Sequence, residues 1–414
     1  MVKGKRLLGI NGLGRIGKLT LWYHLQEKIF DGFVINVGRE VGRDLEAVLH
    51  TILTDSTYGR LESFLYGAKK RDFVAEIVDE KQRLLSVDGM PIKILQNARN
   101  PAEIGWGKEG VRLVIECTGK FTDPTKADDD AKGSIRGHLK AGAEKVILSA
   151  PFKIKDKSLK MPADAGMFVF GVNHAEYDSE KHHVVSGASC TTTGLAHMLK
   201  PLLENEQTSQ IMTASMSTVH ASTASQSILD SVPKAGSKDL RKNRSVLNNV
   251  ILTTTGAAKA LENILSQIQE IGFMADSVRI PTSTASLIIL NLTFHSPLKE
   301  NGDPVITREL INDIYKKAAS GQQKDLLVYS EDQNVSADMI GFQASCVIEG
   351  AENHTRTGFM PIPSVVLKEY GLKDASDVRV PVTHAKLFGW YDNEFGSYVY
   401  TLGHLTKYVA KQMQ

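Results

Sequence analysis

Six residues, Gly12-Leu-Gly-Arg-Ile-Gly17, restrict what this chain can fold into more than any other stretch. The run before them, Arg6 to Asn11, is short and apolar, and from Arg15 to about Lys28 the pattern is helical. Between a strand and a helix the Gly-x-Gly-x-x-Gly spacing has a mechanical meaning. Gly12 permits the tight turn, Gly14 lets a pyrophosphate approach the backbone, and Gly17 lets the helix lie close to the sheet with its N-terminus facing the anion. An ordinary glycine turn is the plain alternative, and the strand-to-helix setting argues against it.

Further apolar runs at Gly32 to Val37, Val111 to Cys117 and Lys145 to Ala150 read as buried strands separated by helical stretches. That order predicts an α/β domain with a parallel sheet covered on both faces. Val87-Asp-Gly-Met signals a hairpin. After Ala150 the strands lengthen and become rich in Thr and Ser, as in Ile211 to Val219 and Ser286 to Phe294. The expectation is a Rossmann-type cofactor domain over 1–150, joined by a C-terminal helix at 395–414, and an α+β catalytic domain with a mostly antiparallel sheet over 151–394. A length of 414 residues agrees with two domains.

The 49 basic and 47 acidic side chains nearly cancel, which gives no electrostatic case for nucleic acid or an acidic membrane as partner. Local basic clusters, such as Lys238 to Arg244, could still serve a phosphorylated small molecule. The three cysteines have no paired spacing, so neither a disulfide framework nor a metal knuckle is expected. No leader-like or membrane-spanning run is seen, and the expected compartment is the cytoplasm.

A dinucleotide fold usually carries an acid about twenty residues beyond its glycine loop, for the adenosine 2′-hydroxyl. Here the strand ends Asn36-Val37-Gly38-Arg39, with Arg43 nearby. An absent carboxylate beside guanidinium groups suits a 2′-phosphate and favours NADP, or use of both NADP and NAD. The alternative is that Glu40 reaches the ribose and the arginines are solvated.

Cys190 lies in Ser186-Gly-Ala-Ser-Cys-Thr-Thr-Thr, just before helically spaced Leu195, Met198, Leu199, Leu202 and Leu203. Exposed N–H groups at a helix start stabilise a thiolate. Pro201 should kink that helix or end its regular part. Thirty residues on, a Thr- and Ser-rich strand delivers His220, a candidate base for the cysteine. No role is assigned to His182 and His183.

Together these segments resemble phosphorylating glyceraldehyde-3-phosphate dehydrogenase. The resemblance runs through Gly9 to Gly17, Ser149-Ala-Pro, Gly171-Val-Asn-His, Ala188-Ser-Cys-Thr-Thr, Thr218-Val-His-Ala, Thr255-Gly-Ala-Ala-Lys-Ala, Arg279-Ile-Pro-Thr and Trp390-Tyr-Asp-Asn-Glu-Phe-Gly, in the family's order. It implies that Cys190 attacks an aldehyde, that His220 is the base, and that inorganic phosphate takes the resulting thioester. It implies anion contacts at Ser189, Thr191, Thr223, Thr255, Gly256 and Arg279. Cofactor contacts are implied at Gly12, Gly14, Arg15, Ile16, Gly17, Val37, Arg39, Thr118, Ser149 and Asn393, with the last orienting the nicotinamide carboxamide. A homotetramer is expected.

The chain departs from the family in places. Thr191-Thr-Thr-Gly194 replaces the usual Thr-Thr-Asn-Cys, and Val37 replaces the acid. Ser231 stands where NAD-preferring relatives often carry leucine, and Ser397 stands in place of a tyrosine. Extra length falls at about 345–386, where no role is evident. The rival readings are an erythrose-4-phosphate dehydrogenase with the same cysteine chemistry, an acyl-phosphate reductase, and a non-catalytic paralogue that uses Cys190 as a redox sensor.

Overall fold

The computed structural model describes residues 4–68, 72–96, 98–233, 235–373 and 376–413. The chain divides into two compact units, Met1–Cys190 with Glu394–Gln414, and Thr191–Asn393. The division falls forty residues beyond the boundary expected at Ala150-Pro151. Strands Ala165–Met167 and Val184–Ser186 add in parallel to Lys145–Leu148 and extend the first sheet, so 151–190 belongs with it. Strands of three residues leave too short a pattern for periodicity to register.

The first unit is built on a nine-stranded sheet. Its parallel part runs, edge to centre, Ala165–Met167, Val184–Ser186, Lys145–Leu148, Val111–Glu116, Leu7–Asn11, Gly32–Asn36 and Met90–Leu95. Two antiparallel strands, Leu84–Val87 and Ala75–Asp79, close the far edge. The expected hairpin turn joins Val87 to Met90, with Asp88 and Gly89 both at positive φ, as a primed turn requires. Every residue of Leu7–Asn11 and of Gly32–Asn36 is buried, the pattern of strands covered on both faces. Leu7–Asn11 lies between Gly32–Asn36 and Val111–Glu116, so the connections leave in opposite directions and open a crevice at the carboxyl ends of these strands. The C-terminal segment opens as a π-turn, Phe395–Val399, before the α-helix Tyr400–Gln412. Lys407 ties that helix to Glu27 at 2.6 Å; residue 414 of the expected 395–414 lies outside the described residues.

The second unit is an eight-stranded, mostly antiparallel sheet. Its two parallel junctions are Ile211–Ala221 with Gly272–Ile280 and Leu327–Ser330 with Cys346–Glu349. Ser286–His295 alternates buried and part-exposed residues, so one face of the sheet is core and the other is open. The helix Cys190–Glu204 runs through Pro201 to its end. Thr307 caps the helix Arg308–Ser320 by accepting from the Leu310 N–H, and Tyr315 donates to the Met198 carbonyl at 3.0 Å. The stretch 345–386, where extra length is expected, includes an extended hairpin. His354–Ile362 pairs antiparallel with residues 378–386 of Val378–Tyr391, and the short helix Ser364–Glu369 sits at the tip.

A buried polar network ties the crevice of the first unit together. The Trp106 indole can only donate, and it donates to His138 Nδ1 at 2.9 Å. The neutral ring therefore carries its proton on Nε2, which faces the Glu116 carboxylate at 2.9 Å. Asn11 Nδ2 donates to the same oxygen at 2.5 Å, and the Thr118 N–H donates to the other at 2.6 Å. Asn36 donates to Asn11 Oδ1 and to the Ala98 carbonyl. Glu116 and His138 are fully buried, so removal of a donor leaves carboxylate charge with no compensating water. His138→Leu should lower stability by about 3 kcal/mol, read as a lower urea midpoint; a change under roughly 0.5 kcal/mol would mean the network is not what holds this end of the sheet.

Candidate active site

In the first unit, the glycine loop has the shape a pyrophosphate needs. Gly12 sits at φ +97°, and its N–H donates to the Asn36 carbonyl at 2.8 Å. A Cβ at Gly17 would fall 1.9 Å from the Gly12 oxygen, so only glycine lets the helix start this close to the strand. A Cβ at Gly14 would meet nothing within 4 Å, and Gly14 is the N-cap of Arg15–Glu27. The cradle fits a dinucleotide: the approach is open where the anion must come, and the backbone is crowded where the helix must pack.

The neighbouring positions contribute differently. The Arg15 guanidinium is held by Asp55 and Glu394, and Lys18 joins Asp55 at 2.8 Å. What Arg15 and Ile16 present to a ligand is therefore backbone. Burial would raise the Asp55 carboxyl, but the hydrogen bonds from Arg15 and Lys18 outweigh it and hold Asp55 well below the usual carboxylate range. Val37 is half-buried at the end of its strand, while Arg39, Glu40 and Arg43 are exposed. Thr118 is anchored on Glu116, and the Ser149 N–H and hydroxyl both donate to the Glu116 carbonyl at 3.0 Å. Asp55 carries no pattern in the sequence that marks it as the partner of Arg15.

Ser189 and Cys190 end the first unit. Cys190 is half-buried and is the first residue of Cys190–Glu204. The other two thiols are poor nucleophiles. Burial, with the Glu116 charge behind it, pushes Cys117 up to about 12, and burial alone raises Cys346 further.

In the second unit the register sets His220 beside Arg279 on adjacent strands. Arg279 Nη1 contacts His220 Nδ1 and reaches the Ala221 carbonyl at 3.2 Å, while His220 Nδ1 lies 2.7 Å from that same carbonyl. Burial first, and the Arg279 charge second, push the imidazole down to about 3, so His220 is neutral at physiological pH. The Tyr391 hydroxyl bridges Thr191 at 2.9 Å and Thr218 at 2.8 Å, and its ring packs edge-on against His220. Asn393 accepts from Ser286 at 2.9 Å through Oδ1, which turns its Nδ2 donors away from that hydroxyl. Thr223 is closed into a turn with Gln226, and Thr255 accepts from the Ala257 N–H just before exposed Gly256. Tyr391 and Ser286 are not among the site residues the sequence marks. A buried tyrosine hydroxyl inside Trp390-Tyr-Asp-Asn was the available signal, since such a group must find a partner.

A dinucleotide cradle in one unit, and a neutral histidine braced by an arginine in the other, define a cofactor-dependent oxidoreductase. Comparison with known proteins gives the family. Residues 6–124 match the glyceraldehyde 3-phosphate dehydrogenase NAD binding domain, and residues 189–363 match the C-terminal domain of the same family. The chain is 36% identical over 408 residues to glyceraldehyde-3-phosphate dehydrogenase of Streptomyces coelicolor, covering 98% of this chain and 99% of that one. It is 34% identical over 406 residues to the enzyme of Geobacillus stearothermophilus, covering 98% of each chain. Against glyceraldehyde-3-phosphate dehydrogenase 2 of Caenorhabditis elegans the identity is 32% over 407 residues, again with 98% of each covered. The chain belongs to the glyceraldehyde-3-phosphate dehydrogenase family and takes a nicotinamide dinucleotide. Among the described residues, no helix is long and apolar enough to cross a membrane.

The Arg279 charge is the second cause of the depressed His220 pKa, after burial. Arg279→Leu should therefore raise it while leaving it under the usual histidine value of about 6.5. Titration of the His220 ring signals by NMR reads the shift; an unchanged or lower midpoint would contradict the assigned cause.

Proposed function

We propose that this protein oxidises glyceraldehyde 3-phosphate, with a nicotinamide cofactor and inorganic phosphate, to 1,3-bisphosphoglycerate. The Cys190 thiolate attacks the aldehyde carbon and forms a hemithioacetal. His220, neutral and buried, accepts the proton of the hemithioacetal hydroxyl as hydride leaves the carbon. Nδ1 faces both the Ala221 carbonyl and Arg279, so the incoming proton is assigned to Nε2. A bound nicotinamide supplies the hydride acceptor. The product on the enzyme is a thioester; an oxygen of inorganic phosphate attacks it, the carbon–sulfur bond breaks, and the thiolate is restored.

The cofactor would be held by Gly12, Gly14 and Gly17, by the N–H groups of Arg15 and Ile16, and by Thr118 and Ser149, with Asn393 offering its amide to the carboxamide. Ser189, Thr191, Thr223, Thr255, Gly256 and Arg279 would bind the substrate phosphate and the attacking phosphate. Arg279 suits that task because a guanidinium can leave an imidazole for a dianion and grip two of its oxygens. Family membership, together with the neutral His220 beside Arg279, supports this reading most directly. Cys190→Ser should abolish phosphate-dependent cofactor reduction while cofactor binding persists; turnover retained by that variant would refute the thioester route. Rates with erythrose 4-phosphate in the same assay identify the aldehyde.

NADP is the proposed preference, or use of both cofactors. Val37 offers no carboxylate to repel a 2′-phosphate, and the exposed Arg39 and Arg43 can attract one. Val37→Asp should move the ratio of kcat/KM values toward NAD by about tenfold or more; a constant ratio would place the discrimination elsewhere. A homotetramer in a reducing cytoplasm is proposed as well. It is supported by the strongly exposed Ile228, Leu229, Val232 and Val250, which another copy could cover.

A further inference from the structure

Asn393 ends the second unit, just beyond Tyr391, the last residue of the strand Val378–Tyr391. Antiparallel register pairs Tyr391 with Ser286 and, carried further along both chains, sets Asn393 across from Thr284. Ser286 and Asn393 are both buried, and the Ser286 hydroxyl is engaged on two sides. Its oxygen accepts from the Ala221 N–H at 3.1 Å, and it donates to Asn393 Oδ1 at 2.9 Å. Asn393 Nδ2 has no partner among the described residues. Next to it, Asp392 accepts from the Thr284 hydroxyl at 2.7 Å through Oδ1 and from the Gly341 N–H at 2.8 Å through Oδ2. Between Thr284 and Ser286, Ala285 is buried and sits at φ +67°, a left-handed conformation that alanine adopts at a cost. The strain falls where the two flanking hydroxyls reach Asn393 Oδ1, at 3.5 and 2.9 Å.

An asparagine amide has two orientations that fill the same space and differ only in exchanging oxygen for nitrogen. The Ser286 hydroxyl tells them apart. Its oxygen already receives the Ala221 N–H, and its single proton needs an acceptor, which Asn393 Oδ1 supplies. With the amide turned over, Nδ2 would face the hydroxyl and that proton would be buried without an acceptor. The cost favours the observed orientation by about tenfold or more. Thr284 does not duplicate this, since its own proton goes to Asp392. Ala221 links the arrangement to the base, because its N–H holds Ser286 while its carbonyl lies 2.7 Å from His220 Nδ1.

We propose that Ser286 is a positioning residue: it fixes the Asn393 amide so that N–H donors, and not the oxygen, are presented to the nicotinamide carboxamide. This rests on the reading that Asn393 meets that group. Dissociation constants for NAD and for ADP-ribose, which lacks the nicotinamide, are measured by calorimetry on the full chain and on its S286A, N393A and S286A/N393A variants. S286A should bind NAD about fivefold more weakly, about twofold for the second orientation opened to the amide and the rest for a side chain no longer held. Its affinity for ADP-ribose should not change. N393A should likewise lose affinity for NAD alone, and the double variant should bind no more weakly than N393A. S286C, whose thiol is a weaker donor, should show a smaller loss, and it takes the place of S286A should that variant not fold. The proposal is overturned if S286A binds NAD as the wild type does, if it loses affinity for ADP-ribose equally, or if the two losses add in the double variant. Unchanged NAD affinity in N393A would sink the reading of Asn393 itself, and this proposal with it.

Discussion

The Glu116 carboxylate organises the ligand end of the first unit. Its two oxygens collect Asn11 at the end of the central strand, Thr118 from the loop after its own strand, and His138 from the helix beyond. Asn36 is drawn in through Asn11, so the ends of three adjacent strands are pinned to one buried charge. A buried carboxylate is tolerated only when its lone pairs are filled, and every group that fills them is thereby placed. The glycine loop springs from Asn11, so the position of a pyrophosphate cradle depends on a network that never needs to touch the phosphate.

That dependence explains which features were legible in the sequence. Gly12, Gly14 and Gly17 act through local sterics, and their spacing alone carries the information. Glu116, His138 and Trp106 act through contacts between residues 22 and 32 apart, and nothing in their spacing marks them. The same limit applies to Arg15. Its place in the motif was plain, but its guanidinium is claimed by Asp55, 40 residues away, and by Glu394, 379 residues away. The two short strands after Ala150 leave no mark for a related reason, since three residues hold less than two periods of alternation.

In the second unit the legible and the hidden divide along the strands. His220 was identified because a histidine in a Thr- and Ser-rich strand stands out. Its state could not be read, because that state comes from burial and from Arg279, placed opposite it only by the pairing of Ile211–Ala221 with Gly272–Ile280. The pairing serves two chemical ends at once. Burial and the guanidinium beside the ring keep it unprotonated and so able to accept a proton, and in the proposed reaction the same guanidinium would bind an anion. An arriving phosphate would neutralise part of the Arg279 charge and make the ring more basic, coupling occupancy of the anion site to the strength of the base.

Strand alternation also separates the two faces of that sheet into different environments. On the core side Tyr391 joins Thr191 and Thr218 through one hydroxyl. On the open side, Lys386 and His384 alternate with the buried Ala385 and Leu387 of the same strand. The strand His354–Ile362 brings Arg356 and His354 to that side. An insertion that lengthens a strand at its solvent end can alter one face freely, since the register already in place decides which of its side chains turn outward. The hairpin could therefore carry a charge pattern of its own while the face that holds His220 and Arg279 stays fixed by its packing.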